Sequence, residues 1–80
     1  MKVKIFSAPS WCAPCKTYKP TYEKLQEQYP DDVAIYDADD EEAREEMARL
    51  GVRGIPTTVY GEEKKVGIMS EQELTKIIES

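Results

Sequence analysis

Two cysteines and no histidine define the chemistry open to this chain of 80 residues. The cysteines stand three apart in Trp11-Cys12-Ala13-Pro14-Cys15-Lys16. One helical turn puts residues at that spacing on the same side, where two sulfurs can approach to the roughly 2.05 Å of a disulfide. Without histidine there is no Ser-His-Asp triad, no Cys-His pair and no zinc site using imidazole. Chemistry here runs on thiols, carboxylates, amines or hydroxyls.

Position separates the two thiols. The helical pattern begins at or just after Cys12, so Cys12 lies at the helix N-terminus and Cys15 one turn inside. Pro14 suits the first turn, where its missing N–H is not needed. Free backbone N–H groups and the helix dipole favour negative charge at Cys12, and Lys16 and Lys19 can add to the effect. The expectation is an exposed Cys12 sulfur with a lowered pKa. Moving a thiol from about 8.5 to about 7 needs roughly 2 kcal/mol, the upper end of what a helix terminus supplies. The thiolate fraction at pH 7 then rises from about 3% to about 50%, but intrinsic nucleophilicity falls with basicity, leaving a net gain of only about threefold. The larger benefit is a better leaving group and a tuned potential. Cys15, on the core side, is the natural resolving thiol.

Three plainer readings compete. A purely structural disulfide would close a ring of about four residues, worth under ~2 kcal/mol by loop entropy, and would tie together nothing distant. Half of a zinc site would need carboxylates or a second chain to complete it. Two unrelated core cysteines fit poorly with the flanking Trp11 and the intervening Pro14.

The elements that must hold this motif follow from periodicity. Lys2 to Ser7 reads as a strand, ended by Ala8-Pro9-Ser10. Cys15, Tyr18, Tyr22, Leu25 and Tyr29 recur at spacings of three and four, giving a helix with one apolar face, whose axis Pro20 should bend. Val33 to Tyr36 reads as a buried strand. Asp37 to Asp40 leads into a helix from Glu41 to about Leu50 with Ala43, Met47 and Leu50 inward, stopped at Gly51. Thr57 to Tyr60 and Lys64 to Gly67 read as a hairpin across Gly61-Glu62-Glu63. Ser70 and Glu73 form a capping box for a last helix that buries Leu74, Ile77 and Ile78. The order βαβαββα implies an α/β fold: a four-stranded mixed sheet with helices on both faces, one domain over residues 1–80.

Composition narrows function further. At 40% hydrophobic and 34% charged, the chain can form a small core under a polar surface. A net charge of −5 gives no excess of cations to displace counterions from phosphates, so no nucleic-acid partner is expected. No apolar run approaches the roughly 18 residues of a membrane span, and Met1 to Phe6 lacks the apolar core of an export signal, so a cytoplasmic monomer is the expectation. Residues 31–46 hold nine of the sixteen acids. They fail as a calcium loop: with Asp37 first, Glu42 falls where glycine is needed and Ala48 where the bidentate glutamate is needed. A solvated helix face with a favourable negative N-terminus is the better reading, and it could steer basic partners.

The motif Trp11-Cys12-Ala13-Pro14-Cys15-Lys16 resembles the WCxPCK active site of thioredoxins. Pro20 matches the proline of the active-site helix in that family. Gly51-Val52-Arg53-Gly54-Ile55-Pro56-Thr57 resembles its cis-proline segment, and Lys65 to Ser70 the stretch entering its final helix. The length is closer to glutaredoxins. The resemblance implies a cis Ile55-Pro56 bond lying against the cysteines, with Ile55, Pro56 and Thr57 contacting an extended substrate beside the reactive sulfur. Ala13 and Pro14 would share that surface, and Trp11 is either a substrate-facing platform or packing beside the loop. It further implies a protein-disulfide reductase with Cys12 as nucleophile, Cys15 resolving and Lys16 tuning the thiol. No cofactor and no metal are required, the substrates are disulfide-containing proteins, and the electron donor is of the thioredoxin-reductase type.

Three features depart from the family. Phe6 stands roughly where thioredoxins place a buried aspartate, so the proton route for Cys15 is open to water, Lys4 or a residue of the second strand. Ala13 replaces the commoner glycine. The glutathione signature of glutaredoxins is replaced by Val66-Gly67-Ile68-Met69-Ser70-Glu71. A glutathione-driven enzyme and a non-catalytic binding module on the same fold are the alternatives.

Overall fold

A computed structural model describes residues 2–80. Strands β1 (Val3–Ser7), β2 (Val33–Asp37), β3 (Thr57–Tyr60) and β4 (Glu63–Val66) alternate with helices α1 (Ala13–Gln28), α2 (Glu41–Leu50) and α3 (Glu71–Glu79) in the expected order βαβαββα. The sheet order is β2-β1-β3-β4. β1 runs parallel to β2, with Val3 beside Val33 and Ile5 beside Ile35. It is antiparallel to β3, with Ile5 beside Thr58. β3 and β4 form the antiparallel hairpin. The sheet is therefore mixed.

Alternation along β1 sends its side chains to two different cores. Val3 and Ile5 pack against Tyr18, Tyr22 and Leu25 of α1 and Leu74 and Ile78 of α3. Phe6, on the other face, packs with Val52 and Val59 and with the half-buried Met47 and Leu50 of α2. Helices thus cover both faces, as the order of elements implies.

The apolar stripe of α1 does more than fill space. Cys15, Tyr18, Tyr22 and Leu25 are buried. The Tyr18 and Tyr22 rings meet edge to face at 5.3 Å. Each tyrosine also makes a buried hydroxyl pair with the sheet: Tyr18 with Thr58 Oγ1 at 2.7 Å and Tyr22 with Ser7 Oγ at 3.0 Å. A buried hydroxyl without a partner would cost about 1–3 kcal/mol, so these pairs also fix which way α1 is rotated. Burial raises the Tyr18 hydroxyl above its ordinary pKa, and the Thr58 hydrogen bond offsets part of the rise. Pro20 lies on the exposed side, and α1 continues across it as one 16-residue helix.

Both expected helix signals in the second half take effect. Gly51 ends α2 in the left-handed conformation, φ 76°, where a side chain would be strained and would meet the Lys64 ammonium. Ser70 Oγ accepts the Glu73 N–H at 3.1 Å, the first half of the capping box. The Glu73 carboxylate accepts from the same Ser70 hydroxyl rather than from the Ser70 backbone.

Two readings of the strands are corrected. β2 is an edge strand and not a buried one: Val33 is buried, Ala34, Ile35 and Tyr36 are half-buried, and Asp37 is exposed. Its apolar run pairs with β1 along one side only, leaving the other side open. β4 begins at Glu63, one residue early, and is exposed throughout.

Candidate active site

The site is built where β1 stops. The Ala8 carbonyl accepts the N–H groups of both Trp11 (3.2 Å) and Cys12 (3.0 Å), a tight turn that aims the chain into α1. Cys12 is the N-cap, with extended φ −100° and ψ 112°. Its sulfur takes the place usually filled by a serine or aspartate oxygen and accepts the Cys15 N–H at 3.3 Å. Pro14 occupies the first turn. Cys12 and Cys15 are joined in a disulfide, with Cα atoms 5.1 Å apart.

The two sulfurs are unequal in the expected sense, yet the outer one is less open than the sequence suggests. Cys15 is 0% exposed and Cys12 only 8%. The expectation of an exposed Cys12 is therefore corrected: Ala8 of the β1 turn, Ala38 after β2 and Ile55 before β3 close around the pair. Ala38 and Ile55 come from segments distant in sequence.

The Ile55-Pro56 bond is cis, as the resemblance implies. Pro56 is buried, and its carbonyl accepts the Gly67 N–H at 2.8 Å. Ile55 is half-buried and reaches the cysteines. Thr57 differs from its expected place at the contact surface. Its side chain is 1% exposed and donates to the Gly54 carbonyl, because it stands opposite Phe6 and so shares the sheet face that α2 covers. Thr57 closes the loop from within. Ala13, Pro14 and Lys16 are exposed on the first turn of α1, where the Lys16 N–H donates to the Cys12 carbonyl at 3.0 Å.

Trp11 is 64% exposed, which fits the outward-facing reading rather than packing. It is nonetheless held. The indole N–H donates to Asp39 Oδ1 at 2.8 Å, and the Ser10 hydroxyl donates to Asp39 Oδ2 at 2.9 Å. Asp39 is itself set by its backbone N–H, which donates to Asp37 Oδ1 at 2.9 Å. The Trp11 and Ser10 hydrogen bonds, with Arg44 nearby, hold the Asp39 carboxyl below the ordinary aspartate range. Sequence reasoning missed this clamp. In the sequence Ser10 belongs to a breaker and Asp39 is one acid in a solvated block, and nothing local links residues 28 or more apart.

The place of the family's buried aspartate is filled by an aromatic pair. Phe6 is fully buried and stacks on Tyr36 with ring centroids 4.9 Å apart. Lys4, one sequence candidate for the proton of Cys15, is engaged with Glu46 at 3.3 Å. Among the described residues the buried polar side chains are Ser7, Thr57 and Thr58, with no carboxylate among them. No three of histidine, cysteine, aspartate and glutamate cluster there as a metal ion would require.

A family model described as Thioredoxin matches residues 3–80. The chain belongs to the thioredoxin family. It is similar to a thioredoxin of Borreliella burgdorferi, 31% identical over 74 residues that cover 86% of this chain and 63% of that protein. It is 34% identical to the chloroplastic M-type thioredoxin of Spinacia oleracea over 79 residues, 92% of this chain and 43% of that one. In fold it is similar to mitochondrial thioredoxin 3 from Saccharomyces cerevisiae in its oxidized form. That match has a TM-score of 0.70 and 32% identity, covering 96% of this chain and 74% of the yeast chain. The chain thus spans less than two thirds of the length of these two sequence relatives. Among the described residues no helix is long and apolar enough to cross a membrane.

Proposed function

We propose that this chain is a thiol–disulfide oxidoreductase that reduces protein disulfides through a reversible Cys12–Cys15 pair. The observation that carries the reading is the N-cap sulfur. Cys12 Sγ accepts a backbone N–H at the positive end of a 16-residue helix, with its partner sulfur buried one turn below. A thiolate accepts that hydrogen bond better than a thiol does, so the anion is favoured.

In the forward reaction the Cys12 thiolate attacks one sulfur of a substrate disulfide. The Cys12–substrate bond forms, the substrate S–S bond breaks, and the first substrate thiolate leaves. Cys15 then gives up its proton and attacks Cys12 Sγ, releasing the second substrate thiolate, which takes up a proton. The substrate gains two electrons, and the protein ends as the Cys12–Cys15 disulfide. A thioredoxin-reductase-type donor returns the two electrons, and no bound cofactor takes part. Trp11, Ala13, Pro14 and Ile55 form the surface for the extended substrate, the buried Pro56 supports it from beneath, and Lys16 adds positive charge near the motif. A reducing compartment such as the cytoplasm suits a chain whose two cysteines are both in the motif.

Insulin disulfide reduction, coupled in parallel to thioredoxin reductase and to glutathione, tests this. Turnover is expected with the reductase, and Cys12→Ser should drop it to background. Cys15→Ser should accumulate mixed disulfides with client proteins, because the resolving step is blocked. Turnover with glutathione alone would turn the assignment to a glutaredoxin-like enzyme. No turnover with either donor would leave only a binding role.

A further inference from the structure

Beside the cysteines lies a cleft of about 220 Å³ that shares Trp11 and Ile55 with the substrate surface and extends it to residues given no role above. Trp11, Ala38, Met47 and Ile55 form its apolar walls, and its charged residues are Arg44 and Arg53. Ala38 and Ile55 also pack against Cys12 and Cys15, so the cleft adjoins the reactive sulfur. Trp11, its outer wall, is fixed in place through Asp39.

The charge at this cleft runs against that of the whole molecule. The chain carries −5 overall, and the helix that supplies Arg44 also carries Glu41, Glu42, Glu45 and Glu46. Helical periodicity sets Glu42, Glu45 and Glu46 apart, while Glu41, three before Arg44, shares its side of the helix but does not line the cleft. Arg44 and Met47, three apart, face this cleft, whereas Glu42, Glu45 and Glu46 line a different one with Tyr36 and Arg49. Arg44 and Arg53 are both exposed. Neither joins an ion pair or a side-chain hydrogen bond among the described residues, whereas Arg49 is paired with Glu46. The nearby Asp39 carboxylate is already occupied by Ser10 and Trp11. Two unpaired guanidinium groups beside an apolar slot suit an apolar side chain accompanied by a carboxylate, which arginine can bind in a two-pronged fashion.

We infer that Arg44 and Arg53 are specificity-determining residues that select protein disulfides flanked by an apolar residue and an aspartate or glutamate. This rests on the oxidoreductase reading and names the substrate class of that site. The apolar side chain fills the cleft between Trp11, Met47 and Ile55 while the carboxylate meets the arginines. A basic residue at the same place is repelled.

Three peptide disulfides test this, identical except for one residue. Each carries leucine next to the attacked cysteine and then glutamate, glutamine or lysine. kcat/KM should fall in the order Glu, Gln, Lys, spanning roughly tenfold at low salt and narrowing to about twofold near 0.5 M salt. The R44E/R53E double variant should invert the order, and R44K/R53K should keep its direction. Equal rates for the three peptides, with reduction intact, would overturn the inference and leave the oxidoreductase reading standing. Failure to reduce any of them would count against that reading itself. The order is then read from binding of the corresponding serine peptides, followed by emission of Trp11, the single tryptophan, and equal affinities there would again overturn the inference.

Discussion

The two faces of the sheet are packed to different standards. On one, α1 and α3 close over Val3 and Ile5 so completely that Tyr18, Leu25 and Leu74 are inaccessible, and two tyrosine hydroxyls are tied to the strands. On the other, the short helix α2 covers Phe6 and Val59 but leaves Met47, Leu50 and Ile55 half-exposed. The closed face fixes the helix whose first turn carries the cysteines. The open face leaves apolar surface beside those cysteines for something else to cover. Rigidity and access are thus divided between opposite sides of one strand.

Leu25→Ala on the closed face should cost about 2–5 kcal/mol, since the removed side chain leaves a cavity among well-packed neighbours. Met47→Ala on the open face should cost about 1 kcal/mol, because its site is already partly solvated. Urea denaturation of both variants measures the difference, and equal losses would erase the distinction between the faces. Tyr22→Phe should cost about 1–2 kcal/mol, as it leaves the buried Ser7 hydroxyl without its partner. A neutral result by the same titration would mean that packing alone holds α1.

The smallest effect on stability belongs to the exposed clamp. Its carboxyl is lowered by being hydrogen-bonded when ionised, so the Asp39 contacts are intact above the ordinary aspartate pKa of about 3.9 and are lost as pH falls through the lower folded value. Trp11 emission should therefore show an acid transition below about 3.9 that is absent in Asp39→Asn, whose thermal midpoint stays near that of the parent. A transition at or above 3.9 would show that the carboxylate does not hold the indole.

The parts of this arrangement legible in the sequence are those specified locally. The spacing of Cys12 and Cys15, the stripe of Tyr18, Tyr22 and Leu25, the stop at Gly51 and the cap at Ser70 each depend on residues within a few positions, and each took its expected form. The resemblance supplied the cis bond before Pro56, which composition would have assigned as trans. What remained hidden depends on chain segments meeting. β2 reads as buried from its apolar run, but its exposure follows from its place at the sheet edge. Thr57 lies in a segment that reads as contact surface, until its register opposite Phe6 places it on the sheet face that α2 covers. Cys12 owes its burial to Ala38 and Ile55, and Trp11 its anchor to Asp39. Neither relation has a sequence signal.

The central claim is that the sulfur capping α1 ionises more readily than the one buried a turn below it. Alkylation of the reduced protein across a pH series, with each cysteine followed separately by peptide mass spectrometry, measures this directly. Cys12 should react many times faster than Cys15 and titrate below the ordinary thiol value of about 8.5. Equal, slow reaction of both thiols with titration near 8.5 would contradict the account.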